Sequence, residues 1–216
     1  MRTETPGAKR RRAGTVFARL RARHPKAKIA LTYKTPMQLL AAVIMSAQAT
    51  DKKVNEITET LFKKYKTADD FAKLDPKQLA REIRAIGFYR QKALSIVTSA
   101  RIVRDQFGGK LPRTMKEMLT LRGVARKTAN VVLGNAYGVV DGIAVDTHVR
   151  RLSQRLGFSN HDDPVKIERD LMALFSKKDW FKLTYTLIDH GRAICTAKKR
   201  MCSLCPVKDI CPSSLV

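Results

Sequence analysis

Between Arg90 and Phe107 the apolar residues fall at helical intervals. Ala93, Ile96, Val97, Ala100, Val103 and Phe107 repeat at i, i+3, i+4, i+7, which lines one face of a helix and does not fit the two-residue alternation of a half-buried strand. Gly108-Gly109 then stop the helix. The same grammar recurs along the chain. A helix from Thr15 ends before Pro25, and Pro36 opens MQLLAAVIMSAQ, nearly all apolar and too long for a typical strand. Thr50 or Asp51 can cap KKVNEITETLFKKY, which puts Val54, Ile57, Leu61 and Phe62 on one face. Asp75-Pro76 starts KQLAREIRAI, which Gly87 ends, and Thr114 caps MKEMLTL. Further on, Ala129, Val132, Leu133 and Ala136 form another stripe, and Asp146 or Thr147 caps a helix that Gly157 ends. Asp163-Pro164 opens the next, and a final helix runs from about Asp179 to Ile194. VVDGIAV at 139–145 is strand-like but short and has no partner, so it reads as a connection. The expected fold class is all-α, with about ten helices.

A chain of 216 residues is enough for one large domain or two small ones. Its 43 Lys and Arg against 19 Asp and Glu leave a net charge of +24. Residues 1–28 carry +9 of this and residues 29–216 carry +15, so the excess runs through the folded body. A polyanion is the partner such a charge implies, nucleic acid ahead of an anionic membrane. No run reaches the roughly 18 apolar residues of a membrane span, and the N-terminus has no apolar signal core. The expectation is a soluble monomer of the cytoplasm, nucleoid-associated in a bacterium. Residues 1–14, with the basic run Lys9–Arg12, read as a disordered tail.

All four cysteines lie near the C-terminus, spaced Cys195-x6-Cys202-x2-Cys205-x5-Cys211. A disulfide scaffold spreads its cysteines through a small secreted domain, so a local ligand cluster fits better. Four thiolates in one loop could hold either zinc or an iron–sulfur cluster. Between the first two ligands, Lys198, Lys199 and Arg200 put three cations on a loop stapled by metal, suited to binding phosphates.

The stretch Leu121–Asp146, LRGVARKTANVVLGNAYGVVDGIAVD, combines a glycine turn, a lysine at the start of a helix and an aspartate closing the span. A helix N-terminus offers free N–H groups and partial positive charge, which suits it to a phosphate. An ammonium ion is disfavoured near like charge, and a lysine amine without its extra proton attacks aldehyde-level carbon. Read alone, the same residues also describe an ordinary helix–turn–helix with a solvated lysine.

Three motifs, in this order, resemble the endonuclease III family of helix-hairpin-helix DNA glycosylases. They are SAQATD at 46–51, LRGVARKTANVVL at 121–133 followed by VDTH at 145–148, and the four-cysteine loop at 195–211. The similarity runs over nearly the whole chain from about residue 15. It implies two helical domains with a DNA cleft between them: a six-helix barrel over 29–139 that carries the helix-hairpin-helix, and an iron–sulfur domain made of 1–28 plus 140–216. It implies a [4Fe–4S] cluster on Cys195, Cys202, Cys205 and Cys211, and double-stranded DNA with damaged bases or abasic sites as partner. The implied reaction removes oxidised pyrimidines. Lys127 attacks C1′ of a flipped nucleotide to give a Schiff base, Asp146 assists, and β-elimination cuts 3′ to the lesion. Gln48 matches the residue that fills the space left by the flipped nucleotide, and Phe88 matches the wedge. Arg122, Gly123, Val124, Ala125 and Arg126 form the hairpin that meets the backbone, and His148 matches a structural group.

The chain also departs from the family pattern. The hairpin usually reads L-P-G-V-G, whereas Arg122 replaces the proline and Ala125 the second glycine. A left-handed Ala125 would carry strain of about 1 kcal/mol. Two other readings follow from these residues. One is a monofunctional mismatch glycosylase, against which Lys127 argues. The other is a damage-binding relative whose altered hairpin has lost turnover.

Overall fold

The computed structural model describes residues 4–216. Among the described residues there are eleven α-helices and a 3-10 turn at Cys202–Leu204; the only β pairing is an isolated bridge between Cys195 and Arg200. The all-α expectation holds, and 138–146 is an irregular connection. No helix is long and apolar enough to cross a membrane among the described residues.

The punctuation read from the sequence is what starts most of these helices. Thr50, Asp75, Thr114, Asp146 and Asp163 each accept an N–H of the first turn that follows, which satisfies donors with no partner inside the helix, and Thr35, not singled out in the sequence, does the same before Pro36. Thr50, not Asp51, is therefore the cap of α3, and Asp146, not Thr147, the cap of α9. The helix opened by Pro76 stops at Glu82, short of Gly87, because the chain turns at 83–88 to reach the next helix. A five-residue helix at Ala68–Ala72 has too few residues to show periodicity. It is held by a capping box in which the Thr67 hydroxyl and Asp70 carboxylate exchange backbone N–H bonds. The Lys66 and Thr67 amides hold the Asp70 carboxyl below the usual carboxylate range.

The disordered tail needs correcting. Residues 1–3 lie outside the described residues, but α1 starts at Pro6 and runs to Arg23. Thr5 caps it, and proline at the first helical position costs no hydrogen bond. Ala13, Val16, Phe17 and Leu20 are buried along one stripe. Arg12 pairs with Glu4 and donates to the Leu156 carbonyl at 2.7 Å, so part of the basic run is tied down. The apolar stripe that follows the basic run at helical spacing orders it as helix, while Arg10 and Arg11 stay exposed.

The chain divides into two compact units. The first, Ala30–Asp141, is built on α6 (Tyr89–Gln106), which packs against α2 (Pro36–Ser46), α4 (Ala68–Ala72) and α5 (Pro76–Glu82). Helix α2 packs in turn against α3 (Asp51–Lys64) and α8 (Arg126–Tyr137), and α7 (Met115–Met118) against α8. Leu39, Leu40, Phe71, Ile83, Ile96 and Leu133 are among its fully buried side chains, each worth about 1.5–3 kcal/mol by removal from water. The second unit joins α1 to Gly142–Val216. There α11 (Lys177–Ala193) packs on α1 and on α9 (Thr147–Arg155), and α10 (Pro164–Leu174) packs on both α1 and α9. Phe158 and Phe17 meet Phe175 edge-on in its core.

In the first unit the turn between α7 and α8 sits directly on α6. Gly123 has φ +77°, and a Cβ there would lie 2.9 Å from Ser95 Cβ. The Ser99 hydroxyl, one turn along α6, donates to the Arg122 carbonyl at 2.8 Å. Gly123→Ala therefore meets both backbone strain and a clash with a buried side chain. It should cost about 2 kcal/mol of stability, read as a lowered midpoint in thermal or urea unfolding. An unchanged midpoint would mean that the turn moves off α6 without cost.

Candidate functional site

The turn 119–125 presents and hides its residues unevenly. Leu121 and Val124 are buried as its apolar anchors, while Arg122, Gly123, Ala125 and Lys127 are exposed and Arg126 is half-buried. The Val124 amide closes the turn on the Leu121 carbonyl at 3.2 Å. Ala125 is extended, with φ −92° and ψ 170°, so the strain considered for it does not arise; Gly123 alone takes the left-handed conformation. The N-cap position of α8 is Ala125, which has no side-chain cap bond to offer. Lys127 is the second residue of this helix. The result is a rigid turn, an uncapped helix start and an exposed amine in sequence, a combination suited to an anion next to an electrophile.

Gln48 and Phe88 belong to the same unit, on the loop after α2 and at the start of α6. Among the described residues they are the two non-glycine residues with positive φ, at 54° and 57°. Both are exposed, Phe88 by 67 %. A large aromatic in the left-handed region and in water is unfavourable on both counts, and such strain concentrates where a side chain must be presented.

Asp146 and His148 lie in the other unit. Asp146 Oδ1 accepts the His148 and Val149 amides at 2.9 and 2.8 Å, the geometry of an N-cap. Its Oδ2 is 3.0 Å from His148 Nδ1. The carboxylate is thus fixed from below by the helix and from the side by an imidazole.

The four cysteines line one pocket, walled by Leu152, Ile194 and Met201, with Arg155, Arg200 and Lys208 around it. Arg155 donates to Cys195 Sγ at 3.2 Å, and His190 Nε2 lies 3.6 Å from Cys205 Sγ. Burial pushes the thiols of Cys205 and Cys211 up, and their neighbouring cysteines add to this; cations or a bound metal offset that cost. Burial likewise pushes His190 down to about 4, with His24 and Arg23 adding repulsion, so its ring is neutral at physiological pH. In the loop before Cys202, Lys198 and Lys199 are exposed on a tight turn in which the Thr196 hydroxyl donates to the Lys199 carbonyl at 2.7 Å. Arg200 is half-buried and donates to the Ser213 carbonyl at 3.1 Å. Two of the three cations read from this loop face water, and the third braces the pocket.

The sequence pointed to none of Arg155, His190, Ser95 or Ser99. They stand on ordinary amphipathic helices, and nothing local in their spacing distinguishes them from neighbours that only pack.

Residues 41–177 match the family model of the HhH-GPD superfamily base excision DNA repair proteins. The chain is 46 % identical to the endonuclease III of Synechocystis sp. over 96 % of its length and 94 % of that protein. It is 42 % identical to that of Bacillus subtilis, over 87 % and 85 %. Among solved structures, a trapped endonuclease III–DNA covalent intermediate superposes with a TM-score of 0.90 at 38 % identity, over 94 % of this chain and 96 % of that one. A thermostable thymine-DNA glycosylase, 23 % identical, shares the fold with a TM-score of 0.84. The chain belongs to the endonuclease III family, within the HhH-GPD superfamily of base excision DNA repair proteins.

Proposed function

We infer that this chain is a bifunctional DNA glycosylase and AP lyase that removes oxidised pyrimidines from double-stranded DNA and cuts the strand at the resulting abasic site. It acts as a monomer in the cytoplasm, on the nucleoid of a bacterial cell. The observation that carries the reading is the exposed Lys127 at the uncapped start of α8, behind a turn that Gly123 holds against α6. The solved relative was caught as a covalent DNA intermediate, which is the kind of species an attacking lysine forms.

The chemistry then follows from residue types. The target nucleotide leaves the stack, at a cost of a few kcal/mol that is lower for a damaged base. The turn 122–126 and the α8 amides hold a backbone phosphate, Gln48 fills the vacated space and Phe88 wedges the neighbouring step. Lys127 Nζ, as free amine, donates its lone pair to C1′, and the C1′–N bond breaks with its electrons leaving on the base. Asp146 accepts a proton from the new ammonium and stabilises the positive charge that develops on the sugar. Opening of the sugar ring gives the Schiff base. Loss of a proton from C2′ then expels the 3′ phosphate, and water releases the lysine. Capping and catalysis are compatible at Asp146, since Oδ1 serves the helix and Oδ2 faces His148.

Reduction with borohydride should trap Lys127 on duplex DNA containing thymine glycol or an abasic site. Lys127→Ala should abolish the adduct and lower turnover by several orders of magnitude. An adduct that survives the substitution would place the nucleophile elsewhere.

Cys195, Cys202, Cys205 and Cys211 fit a [4Fe–4S] cluster, since the pocket offers four sulfur donors, apolar walls and three cations to offset thiolate charge. When bound, the cluster is a structural staple that fixes the loop carrying Lys198 and Lys199. With a thiolate at Cys205, His190 Nε2–H donates to it, and His190 Nδ1 accepts from His24 Nε2 at 3.2 Å. The purified protein should be brown, with a broad visible thiolate–iron absorption and about four irons per chain. A colourless protein holding one zinc would reverse this assignment.

Lys198 and Lys199 contact phosphates in the same reading. Replacing both by alanine should flatten the slope of log affinity against log salt by about 2. An unchanged slope would return them to simple solvation.

A further inference from the structure

In the first unit one lysine lies where the charge of the chain does not predict it. Lys92, on the first turns of α6, is only 6 % exposed. Its Nζ donates to the Met45 carbonyl at 2.9 Å, and its backbone amide donates to the Phe88 carbonyl at 3.0 Å. Met45 is in the last turn of α2, among carbonyls that have no partner inside the helix. The neighbouring carbonyls are served locally: the Ser46 hydroxyl donates to Val43, and the Ala49 amide to Ser46. Met45 receives its hydrogen bond from 47 residues away. A buried ammonium is costly to desolvate, and burial lowers the pKa of Lys92 from its ordinary value. The cation does meet the negative end of a helix, which offsets part of that cost.

The place of this bond is what distinguishes it from an ordinary helix cap. Three residues after Met45 stands Gln48, and four before Lys92 stands Phe88, the two non-glycine residues with positive φ among the described ones. Two separate loops therefore each present a strained, exposed side chain, and one buried side chain spans their bases. Strained conformations persist only where the surroundings over-determine them.

We propose that Lys92 is a positioning residue for base extrusion, a brace that fixes the Gln48 loop against the Phe88 tip so that both side chains enter DNA as one rigid pair. The proposal rests on the reading of Gln48 and Phe88 as the residues that replace and wedge the flipped nucleotide. Lys92 touches neither substrate nor the reacting atoms; it acts through the loops it joins.

Extrusion can be followed by the fluorescence of 2-aminopurine placed beside a thymine glycol in duplex DNA, by stopped flow on the full-length protein with its cysteine site loaded. Lys92→Met, similar in length and unable to donate, should slow extrusion by about 10- to 100-fold. Borohydride trapping on single-stranded abasic DNA, which needs no extrusion, should stay close to the parent. Gln48→Ala and Phe88→Ala should each slow extrusion as well. Adding Lys92→Met to Gln48→Ala should cost far less than the product of the two single effects, because both act on the same step. A merely structural lysine would give multiplicative losses and lower trapping on single strands to the same degree, and that pattern overturns the proposal. If Gln48→Ala and Phe88→Ala slow extrusion while Lys92→Met does not, the proposal alone fails. If neither of those two does, the reading of the wedge fails and takes the proposal with it. Should Lys92→Met not fold, by circular dichroism and thermal melting, Lys92→Gln keeps a donor too short to reach Met45 and carries the same test.

Discussion

The first unit depends on one close approach, the backbone of Gly123 against Ser95 of α6. Only a residue without a Cβ can bring the turn so near, and only a positive φ lets the chain reverse there. From this follow the burial of Leu121 and Val124 and the bond from Ser99 to the Arg122 carbonyl. The start of α8, with Lys127 on it, is aimed by that contact. Helix α6 is thus more than the center of a core. Its apolar stripe meets α2, α4 and α5, while among its buried polar positions Lys92 donates to the last turn of α2 and Ser95 and Ser99 meet the turn before α8.

The same division of labour appears in the second unit. Apolar packing of α1, α9, α10 and α11 makes a core that any amphipathic sequence of this pattern could build. The cysteine pocket needs more than that. Arg155 and Arg151, one turn apart on α9, both turn polar atoms toward the chain around Cys195, where Arg151 donates to its carbonyl and Arg155 to its sulfur. Each is a charged side chain of a helix used to satisfy a loop. In both units the helices supply stability, and a few polar residues on them supply the placement of the loops that bear the chemistry.

Substitutions in the family motif sharpen this point. Arg122 in place of proline leaves the carbonyl that the Ser99 hydroxyl uses, since only the backbone of residue 122 takes part in that bond. Ala125 in place of glycine adds no backbone strain because the chain is extended there. The turn tolerates both changes, whereas Gly123, which carries the positive φ and the contact with Ser95, has no permissible substitute of similar kind.

Most of the helices, the candidates for their caps and the family were legible in the sequence, because periodicity and capping are local and a cap lies within three residues of the donors it serves; the choice of Thr50 over Asp51 and of Asp146 over Thr147 was not. The cysteine spacing marked a local ligand cluster without fixing its metal, and the role proposed for Lys127 came from the family resemblance, since its stretch read alone is an ordinary helix–turn–helix. The sequence misread the basic N-terminal run, where the apolar stripe of α1 outweighed the charge, and it was blind to the short helix at 68–72. Tertiary structure alone decided the left-handed backbone of Gln48 and Phe88, the burial of Lys92 and the seat of Gly123 on Ser95. The burial of Lys92 and the seat of Gly123 rest on contacts between residues 47 and 28 positions apart in the chain, which no local rule encodes. A buried lysine and a solvated one look the same in a sequence; which carbonyl is left without a partner, and which side chain can reach it, is settled only when the helices have packed.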